Sequence, residues 1–192
     1  MIHIFDGDAI DARPALRDAM FRDRTAQFVH RNGWDISVDD QGREIDQYDP
    51  LGPTYIVCAK GDRHLGSLRL LPTTGRTMLA EVFAELAPAN LGRPGWVECT
   101  RYCIAPGAPR HVSAALFLAT LELGLKRGWH GSVGVYDPRM MRIYARLGTP
   151  GRLVAQRGTG RDALCVGEWR FEPHLVAVLA PRAGGERIAE PA

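Results

Sequence analysis

No apolar run in this chain approaches the ~20 residues that a membrane-spanning helix needs, so no transmembrane helix is expected. The opening, Met1-Ile2-His3-Ile4-Phe5-Asp6, turns acidic too early for a signal-peptide core, and a cytoplasmic location is the expectation. Four cysteines, Cys58, Cys99, Cys103 and Cys165, have no C-x-x-C spacing, and six histidines make no H-x-x-H or H-x-E pattern. A disulfide framework and a structural metal are therefore not expected, and the thiols read as reduced and mostly buried. No P-loop, G-x-G-x-x-G or G-x-S-x-G occurs, which leaves the usual phosphate cradles and a serine nucleophile elbow without support. The formal charge is only +2, too small for a general nucleic-acid footprint. Repeats, low-complexity tracts and interdomain linkers are also missing.

What is present is a globular composition, 45% hydrophobic and 24% charged over 192 residues, sized for one α/β or α+β domain. Residues 1–180 read as that domain, and Pro181 to Ala192 as a polar, flexible tail. A strand at His3-Ile4-Phe5 precedes a helix from Pro14 to about His30, closed by Asn32-Gly33. Residues 35–53 are acidic and aperiodic, a length that compact domains carry mainly as functional loops. Thr54–Lys60 and His64–Leu71 predict a hairpin. Thr77 caps a helix from Met78 to about Leu86, and Trp96–Ile104 reads as a central strand. Ser113–Arg127 is a helix apolar enough to lie on a sheet, and Val133–Tyr136 a buried strand. Asp137-Pro138 opens a further helix ending at Leu147-Gly148, and weak alternation from Arg152 to Phe171 predicts more strands. Together these give a mixed sheet with helices on both faces.

Three arginines stand in apolar company: Arg24 between Met20 and Phe28 on one helical face, Arg69 within Leu68-Arg69-Leu70-Leu71, and Arg101 in the central strand. Guanidinium groups are rarely buried without an anion, so each needs a carboxylate or an anionic ligand. Asp46, Asp49 and Glu98 are carboxylates in similar surroundings. Taken alone, Arg24 also reads as a side chain that snorkels out of its stripe, and Trp34 as a packing residue. Glu98 and Arg101 lie three apart in a strand, which strict alternation puts on opposite faces. If both serve one site, a β-bulge must re-aim one of them. Cys103 is a weak candidate nucleophile against the reading of an inert buried thiol. From Arg110 to Arg170, ten basic residues face four acidic ones, which suits an acidic partner, a phosphate-bearing ligand or merely a solvated surface.

As a set, Arg24, Phe28, Trp34, Asp46, Asp49, Arg69, Phe83, Glu98 and Arg101 resemble the signature of the acyl-homoserine-lactone synthases, the LuxI-type autoinducer synthases. The stretches that carry it are Phe21-Arg22-Asp23-Arg24, Gly33-Trp34, Asp46-Gln47-Tyr48-Asp49, Gly66 to Gly75, Met78-Leu79 with Phe83, and Glu98-Cys99-Thr100-Arg101-Tyr102. They arrive in the family's order and cover roughly Met20 to Pro106, with weaker similarity to about Gly148.

The resemblance implies a GNAT-like three-layer α/β/α fold with a mixed, twisted central sheet, and a reaction of two substrates. S-adenosylmethionine (SAM) supplies the amine and lactone carbons, so it is a substrate and no cofactor or metal is implied. An acyl thioester, on acyl carrier protein or coenzyme A, supplies the chain. Glu98, Arg101, Arg69 and Asp46 are the implied catalytic residues, with Glu98 the candidate base, directly or through water. Arg24, Phe28, Trp34, Asp46, Asp49 and Arg101 would bind SAM. Phe83, Tyr102, Leu116, Phe117, Val133, Gly134, Val135, Met140 and Ile143 would line the acyl pocket. A backbone N–H between Tyr102 and Ile104 is the candidate oxyanion donor, and Arg110, Lys126, Arg127, Arg139 and Arg142 the candidate dock for an acidic carrier protein.

Gly134 departs from the threonine found in many members that prefer 3-oxo chains, which implies an unsubstituted or 3-hydroxy chain. Two other readings remain at this point. An ordinary GNAT acyltransferase would need a pyrophosphate loop, but Ala105-Pro106-Gly107-Ala108-Pro109-Arg110-His111 is interrupted by proline. A non-catalytic binding module would expose its arginines.

Overall fold

The computed structural model describes residues 1–160, 163–186, 188 and 189; Arg161 and Asp162 of the basic half fall outside them. One seven-stranded sheet runs through the chain in the order β1-β2-β3-β4-β5-β7-β6. Its strands are β1 (Ile2–Asp6), β2 (Thr54–Lys60), β3 (Arg63–Pro72), β4 (Trp96–Ile104), β5 (Gly131–Tyr136), β6 (Arg152–Arg157) and β7 (Leu164–Arg170). All neighbours are antiparallel except β4 and β5, which are parallel and pair only over Trp96↔Gly131, Val97↔Ser132 and Glu98↔Val133. Beyond Glu98 the two strands share no ladder, which leaves a wedge in the middle of the sheet.

Helices cover both faces. On one, α1 (Pro14–Thr25) sets Leu16, Met20 and Phe21 against Tyr55 and Val57 of β2. Beside it the short α2 (Met78–Glu81) sets Leu79 against Val133 and Val166. On the other, α3 (His111–Lys126) sets Val112, Leu116 and Leu121 against Ile56, Leu68, Leu70 and Val97. Next to it, α4 (Pro138–Leu147) and α5 (His174–Leu179) complete the third layer. The expected α/β/α arrangement is therefore the observed one.

The local signals act as their chemistry dictates. The Thr77 hydroxyl accepts from the Ala80 N–H at 3.2 Å, and the Asp137 carboxylate accepts from the Arg139 N–H to open α4. Gly148 ends α4 at φ +80°, a conformation that glycine adopts at little cost. Helix α1 does not run on to His30 as a regular helix but passes into a π-helical turn, Ala26–Arg31, in which the Asn32 N–H reaches back to the Gln27 carbonyl. The helix expected from Met78 to Leu86 stops at Glu81 and resumes as a 3₁₀ turn at Ala84–Leu86.

Helix α5 was not anticipated, because its six residues, His174–Leu179, are too few to show a helical period. In the segment after Pro181, Ala183 is buried on the α3 core, Ile188 bridges Ile2, and the Ala189 N–H donates to the Ile2 carbonyl at 2.6 Å. Residues 187 and 190–192 of that tail lie outside the described residues.

Leu116 is 0% exposed in the main core cluster rather than at a pocket wall. Leu116→Ala should therefore destabilise the fold by ~2–5 kcal/mol in urea denaturation. A loss below about 1 kcal/mol would show that the α3 layer is not packed as described.

Candidate active site

The three arginines and three carboxylates close into a ring. Arg24 Nε donates to Glu44 Oε2 at 2.6 Å, and its two Nη atoms hold both Asp49 oxygens at 3.0 Å. Arg69 Nη1 reaches Asp49 Oδ1 at 2.8 Å and Asp46 Oδ1 at 2.5 Å, while its Nη2 reaches Asp46 Oδ2 at 2.9 Å. Arg101 Nη2 closes the circuit, 2.8 Å from Asp46 Oδ2 and 2.9 Å from Glu44 Oε1. Every cation touches two anions, every anion touches two cations, and the formal charges cancel.

Burial alone would raise the Asp49 carboxyl, but the Arg24 and Arg69 guanidiniums overcome it and hold the group well below the usual carboxylate range. Burial likewise opposes the charge on Arg24 and Arg69, and the neighbouring carboxylates outweigh it in both cases. Arg24 and Arg69 are 1% and 0% exposed, so neither snorkels outward and the exposed arginines of a binding module are not found here.

The aperiodic stretch 35–53 supplies all three acids of the ring. Glu44 was not singled out in the sequence. A count of charge was the available signal, since three buried cations require a third anion and Glu98 turns out to lie elsewhere.

Arg101 reaches the ring because β4 is irregular, as cooperation between Glu98 and Arg101 requires. Ser67 pairs with Cys103 and Arg69 with Thr100, so two steps on β3 face three on β4. Among the described residues Arg101 alone, apart from glycines, has positive φ, at 51°. That left-handed conformation costs about 1–2 kcal/mol for a side chain with Cβ, which the ion pairs offset. The bulge turns Arg101 to the face carrying Glu98 and Thr100, the latter bonded to Arg69 Nε at 3.1 Å.

Glu98 is fully buried outside the ring. Its oxygens accept from the Met78 N–H at 3.0 Å and the Leu79 N–H at 2.6 Å. Burial raises its pKa although both N–H groups favour the carboxylate. Burial pushes the Cys99 and Cys103 thiols up to about 12, in keeping with the reading of Cys103 as an inert buried thiol. The Ile104 N–H, one of the candidate oxyanion donors, is already taken by Gln27 Oε1 at 2.9 Å.

A cavity of about 960 Å³ adjoins the ring and continues to the opposite face of the sheet. One end is walled by Asp46, Glu44, Arg101, Tyr48 and the stacked Phe28 and Trp34 rings, whose centres lie 4.9 Å apart and 5° from parallel. The other is walled by Tyr102, Phe117, Gly134, Met140, Tyr144 and Trp169. The wedge between β4 and β5 connects them. Just past the last paired residues, a Cβ on Gly134 would stand 2.8 Å from the Cys99 carbonyl oxygen.

Of the residues expected to bind SAM, Phe28, Trp34, Asp46 and Arg101 line this cavity, whereas Arg24 and Asp49 stand behind them as support, as does Arg69 of the expected catalytic set. Of the acyl-pocket set, Phe83, Tyr102, Phe117, Gly134, Val135 and Met140 line it. Leu116, Val133 and Ile143 do not: Leu116 and Ile143 pack in the α3 core, and Val133 alternates to the α2 face. Glu98 is also absent from the wall. Gln27, Tyr48, Met78, Tyr144 and Trp169 line it without having been anticipated, although Tyr144 lies one turn from Met140 and was legible by helical spacing.

The five basic docking residues do not form one patch. Arg110 and Lys126 stand at opposite ends of α3, roughly 24 Å apart at 1.5 Å per residue. Arg127 pairs with Asp6, while Arg139 and Arg142 lie on exposed α4, Arg139 at the cavity wall.

The family model for autoinducer synthases matches residues 10–166. An acyl-homoserine-lactone synthase from Rhizobium etli is 38% identical over 201 residues, which cover 100% of this chain and 93% of the relative. Among solved structures, a CoA-dependent acyl-homoserine lactone synthase with SAM and isopentyl-CoA has a TM-score of 0.85 at 23% identity, covering 100% of this chain and 94% of its own. A Lactobacillus plantarum chain assigned as an N-acetyltransferase has a TM-score of 0.59 at 19% identity, over 89% and 99% of the two chains. At those identities the structural likeness concerns the fold. With a family model matched over most of its length and a relative aligned along all of it, the chain belongs to the acyl-homoserine-lactone synthases, acyltransferases of GNAT-like fold.

Proposed function

We propose that this enzyme acylates the α-amine of SAM from an acyl thioester and then closes the homoserine lactone, releasing methylthioadenosine. The observation that carries this reading is the single cavity with two unlike ends, ionic on one face of the sheet and apolar on the other. SAM is a sulfonium, an ammonium and a carboxylate in one molecule, and Arg101 beside Glu44 and Asp46 offers both signs of charge within hydrogen-bond range. The stacked Phe28 and Trp34 rings suit the adenosine end. The apolar arm under α3 and α4 suits an acyl chain, whose carbonyl would then lie in the wedge near Arg101. A structural neighbour's pairing of SAM with an acyl-CoA supports two substrates in such a cavity.

In this reading the neutral amine attacks the thioester carbonyl, the thiolate leaves, and the SAM carboxylate displaces methylthioadenosine from the γ-carbon. Glu98 accepts the amine's proton through a water, since it does not reach the cavity wall itself. Its raised pKa makes it a stronger base than an ordinary carboxylate. Arg69, Arg24 and Asp49 act through Arg101 and Asp46 by fixing them. The thioester donor, on carrier protein or coenzyme A, enters beside Arg139 and Arg142.

Purified enzyme given SAM and an acyl thioester should release methylthioadenosine and form an acyl-homoserine lactone, both read by mass spectrometry. Glu98→Gln should lower kcat by roughly 10²–10⁴ and remove the acid limb of the pH profile. An unchanged profile with kcat within about twofold of the wild type would exclude Glu98 as the proton acceptor. Because Gly134 offers no hydroxyl, kcat/KM should be lower for a 3-oxoacyl donor than for the unsubstituted donor of equal length. Equal values would remove Gly134 from the account of specificity.

A further inference from the structure

Gln27 lies in the π-helical turn after α1, and its carboxamide makes two bonds to the bulged half of β4. Nε2 donates to the Tyr102 carbonyl at 2.9 Å, and Oε1 accepts from the Ile104 N–H at 2.9 Å. Between these residues Cys103 pairs with Ser67 on β3, so the bonded groups of Tyr102 and Ile104 lie along the edge facing away from β3. Among the described residues no strand covers that edge, because β5 leaves β4 after Glu98↔Val133. One side chain thus supplies the donor and the acceptor that a neighbouring strand would have supplied.

We infer that Gln27 is a positioning residue for acyl transfer, splinting the free edge of β4 so that the backbone after Arg101 stays fixed where the thioester must lie. The inference rests on the proposed function, since acyl transfer is the step being positioned. Gln27 lines the cavity at the wedge, between its ionic and apolar ends. The β3 ladder is already interrupted at the bulge, so it holds this stretch less firmly than the regular part of β4. Arg101 is held independently by Glu44 and Asp46. Loss of Gln27 should therefore disturb the acyl step and spare the ionic end of the cavity. Position 27 falls three residues after Arg24 on the same helical face, so spacing alone gives it no role of its own.

The test is steady-state kinetics on the full chain with SAM and an acyl thioester, together with calorimetric SAM binding. Gln27→Leu should lower kcat roughly tenfold or more, as misplacement of reacting groups does, while the SAM Kd stays within about twofold. Gln27→Glu separates positioning from folding. A protonated carboxyl offers one donor and one acceptor, as the amide does, whereas a carboxylate only accepts. The activity of Gln27→Glu relative to wild type should therefore climb as pH falls through the titration of that carboxyl, and Gln27→Leu should show no such recovery.

Should Gln27→Leu fail to fold, the pH dependence of Gln27→Glu decides alone. Wild-type kcat in both variants, or a SAM Kd that weakens in step with kcat, would overturn the inference. So would a Gln27→Glu variant whose relative activity ignores pH. A wild-type enzyme that releases no methylthioadenosine with any donor would instead remove the proposed function itself.

Discussion

The ring of Arg24, Glu44, Arg101, Asp46, Arg69 and Asp49 is the constraint on which the rest of this site depends. Its cations come from α1, β3 and β4, and its anions all come from the loop between α1 and β2. A stretch with no periodic core of its own is thereby tied at three points to the rigid layers. Each ion would be costly to bury alone, and removing one leaves two partners uncompensated, a loss of ~3–5 kcal/mol for a buried pair. Closure makes the arrangement tolerable: with equal numbers of each sign and two partners apiece, no member faces the interior unpaired.

The ring is also graded in depth. Arg24, Arg69 and Asp49 form its inner arc, away from the cavity, while Arg101, Glu44 and Asp46 form the arc that lines it. The inner arc fixes the outer one, so groups that must meet a charged substrate arrive already oriented. The bulge in β4 serves the same end. A regular strand would have sent Arg101 to the α3 face, among the apolar residues of the acyl arm. The left-handed conformation at the bulge instead brings it to the ionic side, where two carboxylates offset the strain. Divergence of β4 from β5 then joins the ionic and apolar ends through the sheet, and Gln27 secures the edge that the divergence exposes.

Much of this was legible in the sequence where periodicity or capping chemistry dominates. The strand Trp96–Ile104 is bounded by Gly95 and Pro106 and appears with those limits, and the Asp137-Pro138 opening and Gly148 end of α4 are both realised. The irregularity between Glu98 and Arg101 could be inferred because two polar residues three apart cannot share a face of a regular strand. Residues whose placement depends on non-local packing were less accessible. Glu44 sits in a loop without a period, so only charge balance could have pointed to it. Leu116 and Val133 look like pocket residues until the packing of α3 and α2 assigns them to core layers. Gln27 shares a helical face with Arg24, and only the course of β4 beyond the bulge gives its carboxamide a backbone to hold. Helix α5 is too short to show a period at all.

The most direct test of the ring is its dependence on charge. Asp49 has a native pKa held below its unfolded value, so its contribution is complete above the ordinary carboxylate range and is lost as pH falls toward the depressed value. Urea denaturation of the wild type and Asp49→Asn should be compared from neutral pH down through that range. The account predicts that Asp49→Asn is less stable by ~3–5 kcal/mol at neutral pH, and that the gap narrows on acidification as the wild type alone loses the Asp49 contribution. Two curves that run parallel and close together across the whole pH range would contradict it.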